Sequence, residues 1–117
     1  MTSSAGQEMK VRMRADLRDA MRGSRPDEAR LIRVLVAAID NAEAPPLVER
    51  PASDPTPFVD GSAEIARLSL DHDKVRSILL AEQREREQAA IEMTRLGRLD
   101  DAETLRREAV LIERYLT

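Results

Sequence analysis

The feature that most constrains this chain is a long helical pattern over residues 71–97, DHDKVRSILLAEQREREQAAIEMTRLG. At about 100° per residue, its apolar side chains fall on one face roughly 120° wide, which is typical of a helix that packs by one side. Asp71 or Asp73 can cap the start of this helix, and Gly97 can adopt the left-handed conformation that ends one. The apolar set is Val75, Ile78, Leu79, Ala89, Ala90, Met93 and Leu96. We therefore predict a helix over residues 72–96.

A pair of opposite charges interrupts this apolar face. Glu82 and Arg86 lie within the same arc, four residues apart, with the acid first, which is the favourable order for an ion pair along a helix. One interpretation is a half-buried salt bridge that spans a gap in the apolar seam. The other is a polar recognition point that fixes register or contacts a partner protein. Both residues are therefore candidate partner-binding residues.

The composition favours one all-α domain. The chain has 117 residues, of which 42% are hydrophobic, 35% charged and only 2% aromatic. This mixture predicts a small bundle of about four helices that spans residues 1–117 as a single domain. The net charge of −3 argues against a generic nucleic-acid binder, and the absence of cysteine excludes disulfides and thiolate chemistry.

The remaining segments follow from helix breakers and periodicity. The segment 28–43 is the most apolar, with a face wide enough to contact two or more neighbours, so we place it at the centre of the bundle. Ser24 or Asp27 is expected to cap it, and Asp100 to cap the last helix. A three-residue turn makes the last two helices a long antiparallel hairpin. The other predicted segments are a tail over 1–7, helices over 8–22 and 101–116, and an irregular proline-rich loop over 44–70.

A basic stripe runs along the first predicted helix. Its members follow one another at four-residue intervals: Lys10, Arg14, Arg18 and Arg22. One interpretation is a solvated face that keeps a small domain soluble. The alternative is an edge that binds RNA phosphates, where each neutralised phosphate makes binding more salt-sensitive. These four residues are the candidate RNA-binding set.

The last predicted helix has a second apolar side. Leu111 and Tyr115 lie away from its main apolar face. Such a side predicts burial against another helix or against a partner, which includes a second copy of the chain. Both residues are therefore candidate partner-binding residues.

Motifs for catalysis, metals or cofactors are not found. His72 is the single histidine, so a histidine pair for a metal is excluded, and the flanking acids Asp71 and Asp73 are explained by capping. Phosphate-binding glycine loops and a nucleophile elbow are missing. We expect no independent catalytic site, no metal and no cofactor. The start of the chain lacks an apolar signal region and no apolar run reaches membrane length, so we expect a soluble, cytoplasmic protein.

Two stretches together resemble the GatB/YqeY family. The resemblance covers roughly residues 15–44 and 73–116. The first stretch runs DLRDAMRGSRPDEARLIRVLVAAIDNAEA, and the second resembles the helical hairpin of that family. Its markers are Glu82, Arg84 to Glu87, Leu96-Gly97-Arg98, Ala102-Glu103, Leu105, Glu108 and Tyr115-Leu116.

The resemblance implies a helical domain related to the C-terminal tail of the GatB polypeptide of the glutamine-dependent tRNA amidotransferase. Only the N-terminal helical domain of a free-standing YqeY-like protein is matched, and the catalytic parts of the amidotransferase lie elsewhere. The family association is with carbon–nitrogen ligase activity that uses glutamine as amide donor. We therefore expect a non-catalytic adaptor that acts with tRNA or with an amidotransferase-related protein. The alternative is a protein-interaction scaffold with no role in RNA binding.

Overall fold

The computed structural model describes residues 4–45 and 67–117, and within these ranges the chain forms four helices and no strand. The helices are α1 (Ala5–Arg22), α2 (Pro26–Glu43), α3 (His72–Arg95) and α4 (Leu99–Glu113). The all-α prediction is confirmed. Most of the predicted irregular loop, 44–70, lies outside the described residues.

The first helix begins earlier than expected because a serine caps it. The Ser4 hydroxyl accepts a hydrogen bond from the backbone N–H of Gln7 at 3.2 Å, so α1 starts at Ala5. The prediction of a tail through residue 7 was therefore wrong for its last three residues. Periodicity missed this turn because Ala5 and Gly6 add little to an apolar pattern.

Two predicted caps were also wrong. Arg25 and Arg98 precede α2 and α4, and neither makes a side-chain capping bond. Ser24 instead takes a positive φ of 55° in the turn before α2. Asp27 and Asp100 lie inside the first turns, where carboxylates interact favourably with the positive end of the helix dipole. Both helices therefore start two residues earlier than predicted.

The hairpin of α3 and α4 is formed as predicted. Asp71 caps α3 by accepting a hydrogen bond from the Lys74 backbone N–H at 2.8 Å. Gly97 has a φ of +77°, the left-handed conformation that glycine adopts most readily. The chain then reverses and α4 packs against α3. A second hairpin, of α1 and α2, packs on the first.

The core forms around α2, which supplies four of its side chains, more than any other helix, and which, like α3, contacts all three other helices. This agrees with the central position expected from its wide apolar face. Side chains from every helix and from both flanking segments complete the core: Met13, Leu31, Ile32, Leu35, Ile39, Leu70, Val75, Leu79, Ile112, Tyr115 and Leu116.

Two non-helical segments, one before α3 and one after α4, pack against the helices. Leu68 donates its backbone N–H to the Glu43 carbonyl at 2.7 Å, and the carbonyl of the buried Leu70 accepts from the Gly6 N–H at 3.3 Å. At the other end of the chain α4 stops at Glu113, not at residue 116, and a turn follows. That turn directs Tyr115 into the bundle.

The packing of the core predicts that Leu35→Ala strongly lowers the free energy of unfolding. Leu35 is 0% exposed, so removal of its outer carbon atoms leaves a cavity as well as losing burial, and we expect a loss of about 2 to 5 kcal/mol in the free energy of unfolding. Leu99→Ala is the matched control, because Leu99 is 63% exposed; its loss should stay below about 0.5 kcal/mol. Urea denaturation measures both, and equal losses would contradict this placement of the core.

Candidate nucleic-acid interface

Lys10, the first member of the predicted basic stripe, lies inside the bundle. It is 3% exposed, and its Nζ donates to Asp40 Oδ1 at 2.7 Å and to Glu43 Oε1. Glu43 is itself fully buried, and its other oxygen accepts from Gln7 Nε2 at 3.0 Å. An ammonium group held this way between two carboxylates cannot contact a phosphate. The stripe is therefore reduced to its three arginines.

The Glu43 carboxylate occupies space that a glycine provides. A Cβ at Gly6 would lie 2.8 Å from Glu43 Oε2 and 3.3 Å from Leu70 Cβ. Any other residue at position 6 would therefore displace the carboxylate or the 67–70 segment. The close approach lets α1, α2 and that segment meet around one buried charge cluster.

Asp40 is the more exposed acid of this cluster. The hydrogen bond from Lys10 lowers the pKa of the Asp40 carboxyl below its usual value, although partial burial opposes this effect. Arg67, whose Nη1 lies 3.8 Å from Asp40 Oδ1, and the neighbouring Arg14 lower it further. The carboxylate therefore stays ionised well into the acid range.

Five exposed arginines of α1 and α2 make up what we define as the basic face: Arg14, Arg18, Arg22, Arg30 and Arg33. The remaining exposed arginine of α1, Arg12, lies over the Tyr115 ring instead. Two observations join the helices. Arg33 Nη2 lies 3.6 Å from the sulfur of Met21, so α2 presents this arginine beside the outer surface of α1. Arg14 acts electrostatically on Asp40, so it lies on the side of α1 that faces α2.

Several acids of this hairpin have partners other than the arginines of the basic face. Asp40 and Glu43 bind Lys10, and Asp16 accepts from the Tyr115 hydroxyl at 2.6 Å. Glu28 binds two arginines, and the hydrogen bond from Arg25 is the main reason that its pKa is lowered.

The acids that remain near the basic face are exposed. Asp19 lies 3.7 Å from Arg22, and Asp27 lies 3.2 Å from Arg30. Exposed pairs of this kind contribute little because water screens them. Arg14, Arg18 and Arg33 form no salt bridge with any residue in 4–45 or 67–117. The outer surface of the hairpin is therefore rich in accessible guanidinium groups.

Arg30 and Arg33 were not predicted as members of this face. A signal was available, because a short turn between two helices makes them antiparallel neighbours. Projecting both helices from that turn places the arginines of α2 at the same level along the hairpin as those of α1. A repeat of four residues describes the surface of a single helix, so it cannot show that side chains of two helices share one surface.

The predicted Glu82–Arg86 ion pair is confirmed and is part of a larger network. Arg86 Nη1 lies 2.7 Å from Glu82 Oε2, and its Nε lies 3.3 Å from Glu108 Oε1 on α4. Nearby, the buried Gln83 donates to the Ala109 carbonyl at 3.0 Å. These contacts link α3 to α4 and so fix the register of that hairpin. Partner binding by Glu82 and Arg86 stays a prediction.

Tyr115 does not lie on an exposed side of α4. It is 5% exposed, its hydroxyl binds Asp16, and the Arg12 guanidinium lies 4.9 Å from its ring centre. Burial, together with the hydrogen bond to Asp16, raises its pKa. Of the two alternatives for this side of α4, burial against another helix applies to Tyr115, because α4 ends before it and the turn directs it toward α1. Its ring therefore leaves little apolar surface for a partner.

Leu111 is half-buried and borders a shallow groove on α3 and α4. The groove has a volume of about 640 Å³ and includes Gln83, Ala109 and Val110. Val110, at 72% exposed, is its most accessible apolar side chain among those the structure describes. The apolar second side of α4 is therefore carried by Val110 and Leu111.

In the described part of the chain no group of three acids or histidines is arranged to hold a metal ion. Across the same residues none of the helices combines the length and apolar character needed to cross a bilayer. Comparisons with protein-family models, with curated proteins and with solved structures found no match to the chain. The GatB/YqeY resemblance therefore stays a prediction.

The buried cluster predicts that Lys10→Met is strongly destabilising. The variant leaves the buried Glu43 carboxylate with only the more distant Arg67, whose Nη1 lies 3.9 Å from Oε1, and should cost about 3 kcal/mol of the free energy of unfolding. The double variant Lys10→Met/Glu43→Leu removes both charges and should recover most of that loss. Urea denaturation at neutral pH measures both. A single variant within about 0.5 kcal/mol of the parent chain would contradict the arrangement.

The lowered pKa of Asp40 predicts the acid dependence of stability. A carboxyl group whose pKa is lower in the folded state stabilises the fold above its unfolded pKa, near 3.8, and loses this contribution as the pH falls through the folded value. Asp40→Asn should therefore be less stable than the parent chain at neutral pH. The difference should shrink in acid, below about pH 4. Thermal unfolding across this range measures it, and a pH-independent difference would contradict the assignment.

Proposed function

We propose that this chain is a non-catalytic helical adaptor that binds the tRNA backbone through the basic face and acts with the tRNA-dependent amidation machinery. The observation that carries the proposal is the exposed cluster of arginines on α1 and α2, in a chain whose net charge is −3. The GatB/YqeY resemblance supplies the class of RNA. The amidation partner follows from the resemblance alone.

The chemistry of the face supports phosphate binding. Arginine presents a planar fork of donors that matches phosphate oxygens and can bind two of them at once. Arg14, Arg18 and Arg33 are exposed and form no ion pair with another described residue, so within residues 4–45 and 67–117 no salt bridge has to break before they bind. Lysine would not substitute fully, because its ammonium is a point charge without the fork.

The arrangement of the ionisable groups supports an adaptor role. The buried Lys10 and Glu43 neutralise each other, and Gln7 satisfies the remaining carboxylate oxygen. Asp71 caps α3, and Asp100 and Asp101 lie in the first turn of α4. Each of these groups has a hydrogen-bond partner or a helix-end position that accounts for its presence without a catalytic role.

A protein-interaction scaffold is the second candidate, and the groove on α3 and α4 favours it. Val110 is 72% exposed beside the half-buried Leu111, and apolar surface of this kind is a common feature of protein interfaces. The groove lies on the α3–α4 hairpin, whereas the basic face lies on the α1–α2 hairpin. The two candidates therefore depend on different residues.

We expect Arg14→Gln/Arg18→Gln/Arg33→Gln to weaken tRNA binding. A filter-binding titration at two salt concentrations gives the slope of log K against log salt, which changes by about 0.9 for each phosphate contact in a duplex. Loss of three contacts should therefore flatten the slope by about 2 to 3. Glutamine keeps good helix propensity, so the fold should persist. Circular dichroism verifies the fold of each variant.

A charge-matched control separates the basic face from net charge. Arg84→Gln/Arg95→Gln/Arg107→Gln removes three exposed arginines from α3 and α4 and should leave the slope unchanged. Equal effects of the two triple variants, or no binding of the parent chain at low salt, would refute the proposal. Val110→Glu distinguishes the second candidate, because it should abolish a protein association seen by light scattering without changing tRNA affinity.

A further inference from the structure

We infer that the basic face takes base-paired RNA in preference to single-stranded RNA, with its two rows of arginines on the two strands of one helix. The first row is Arg14, Arg18 and Arg22 on α1, and the second is Arg30 and Arg33 on α2. The inference rests on the proposed function and specifies which part of a folded RNA the face binds.

The two rows are parallel and close together. Residues four apart on a helix are separated by about 6 Å along its axis, so the first row spans about 12 Å. The axes of packed helices lie about 8 to 10 Å apart, so the backbones that carry the two rows are separated by about this distance. The contact between Arg33 and Met21 places Arg33 beside the last turn of α1, at the residue that precedes Arg22. The two rows therefore follow two packed helices as neighbouring lines of positive charge.

The face has no platform on which unpaired bases could stack, as far as the described residues extend. Proteins that bind single strands combine a basic groove with aromatic side chains that stack on successive bases. The chain has one Phe and one Tyr. Tyr115 is buried, with its hydroxyl on Asp16 of α1. Phe58 lies outside the described residues. The described part of the face therefore offers guanidinium groups without an aromatic ring, and phosphates are the ligands that match their fork of donors.

A duplex suits a surface that binds phosphates. Double-stranded RNA is recognised mostly through shape, phosphates and ribose hydroxyls, since side chains cannot read its narrow major groove. A duplex also presents two strands of phosphates, so both arginine rows can bind at once. A flexible single strand aligns its phosphates with one row and must lose conformational entropy to do so. The second row, Arg30 and Arg33, is therefore the part that distinguishes the two ligands.

The test compares an RNA duplex of about 20 base pairs with one of its strands, by fluorescence anisotropy at a fixed salt concentration. The parent chain should bind the duplex about tenfold more tightly, as expected when additional phosphate contacts form. Arg30→Gln/Arg33→Gln should remove this preference while it leaves single-strand affinity within about twofold. Arg84→Gln/Arg95→Gln, which removes two exposed arginines from α3, is the charge-matched control and should keep the preference.

Each other outcome overturns the inference in a distinct way. Binding of tRNA with equal affinity for duplex and single strand would refute the two-row arrangement and leave the proposed function standing. Tighter binding of the single strand would also refute the two-row arrangement, and it would indicate that unpaired bases stack on the protein. A preference for duplex that survives Arg30→Gln/Arg33→Gln would refute the role of the second row. No binding of tRNA or of either test RNA would refute both proposals.

Discussion

The buried ion pair between Lys10 and Glu43 is the interaction on which the arrangement of the first hairpin depends. It joins the start of α1 to the end of α2, and the 67–70 segment lies across it through backbone hydrogen bonds to Gly6 and Glu43. Removal of both charges from water costs nearly as much as their attraction returns, so the pair adds little net stability. Its larger effect is on specificity, because a shifted register would bury one charge without the other.

That register also determines where the arginines lie. With Lys10 directed inward, the residues one and two turns later, Arg14 and Arg18, lie on the flank of α1 that borders α2 rather than on its far side. Arg33 lies beside Met21 of the same helix, α1, and its own position follows from the burial of its neighbours Leu31, Ile32 and Leu35. The same rotation directs Asp16 toward Tyr115. The orientation of one buried lysine therefore also determines which side of α1 presents Arg14 and Arg18.

Apolar periodicity was sufficient to predict the helices and their central member, because Leu31, Leu35 and Ile39 repeat at helical spacing. Periodicity could not predict that Lys10 is buried, because a basic residue every four positions gives the same pattern whether the first residue is exposed or buried. The spacing of Lys10 from its buried neighbours would have indicated its burial. Lys10 lies four residues after Gly6 and three before Met13, and both are buried. Tyr115 was misassigned because α4 ends two residues before it, and helix ends are the least reliable part of a periodic pattern.

The basic face has to act against the net negative charge of the chain. At physiological salt the electrostatic field of a surface charge is screened over about 8 Å, so an RNA farther away experiences little attraction to five arginines. The face therefore cannot steer RNA from a distance as a basic protein does. Within contact range the net electrostatic interaction with a phosphate becomes attractive, because the guanidinium groups of the face are closer to the phosphate than the acids of α3 and α4. Such an interface favours short-range, salt-sensitive contacts, which are compatible with the proposed role of an adaptor brought to RNA by another protein.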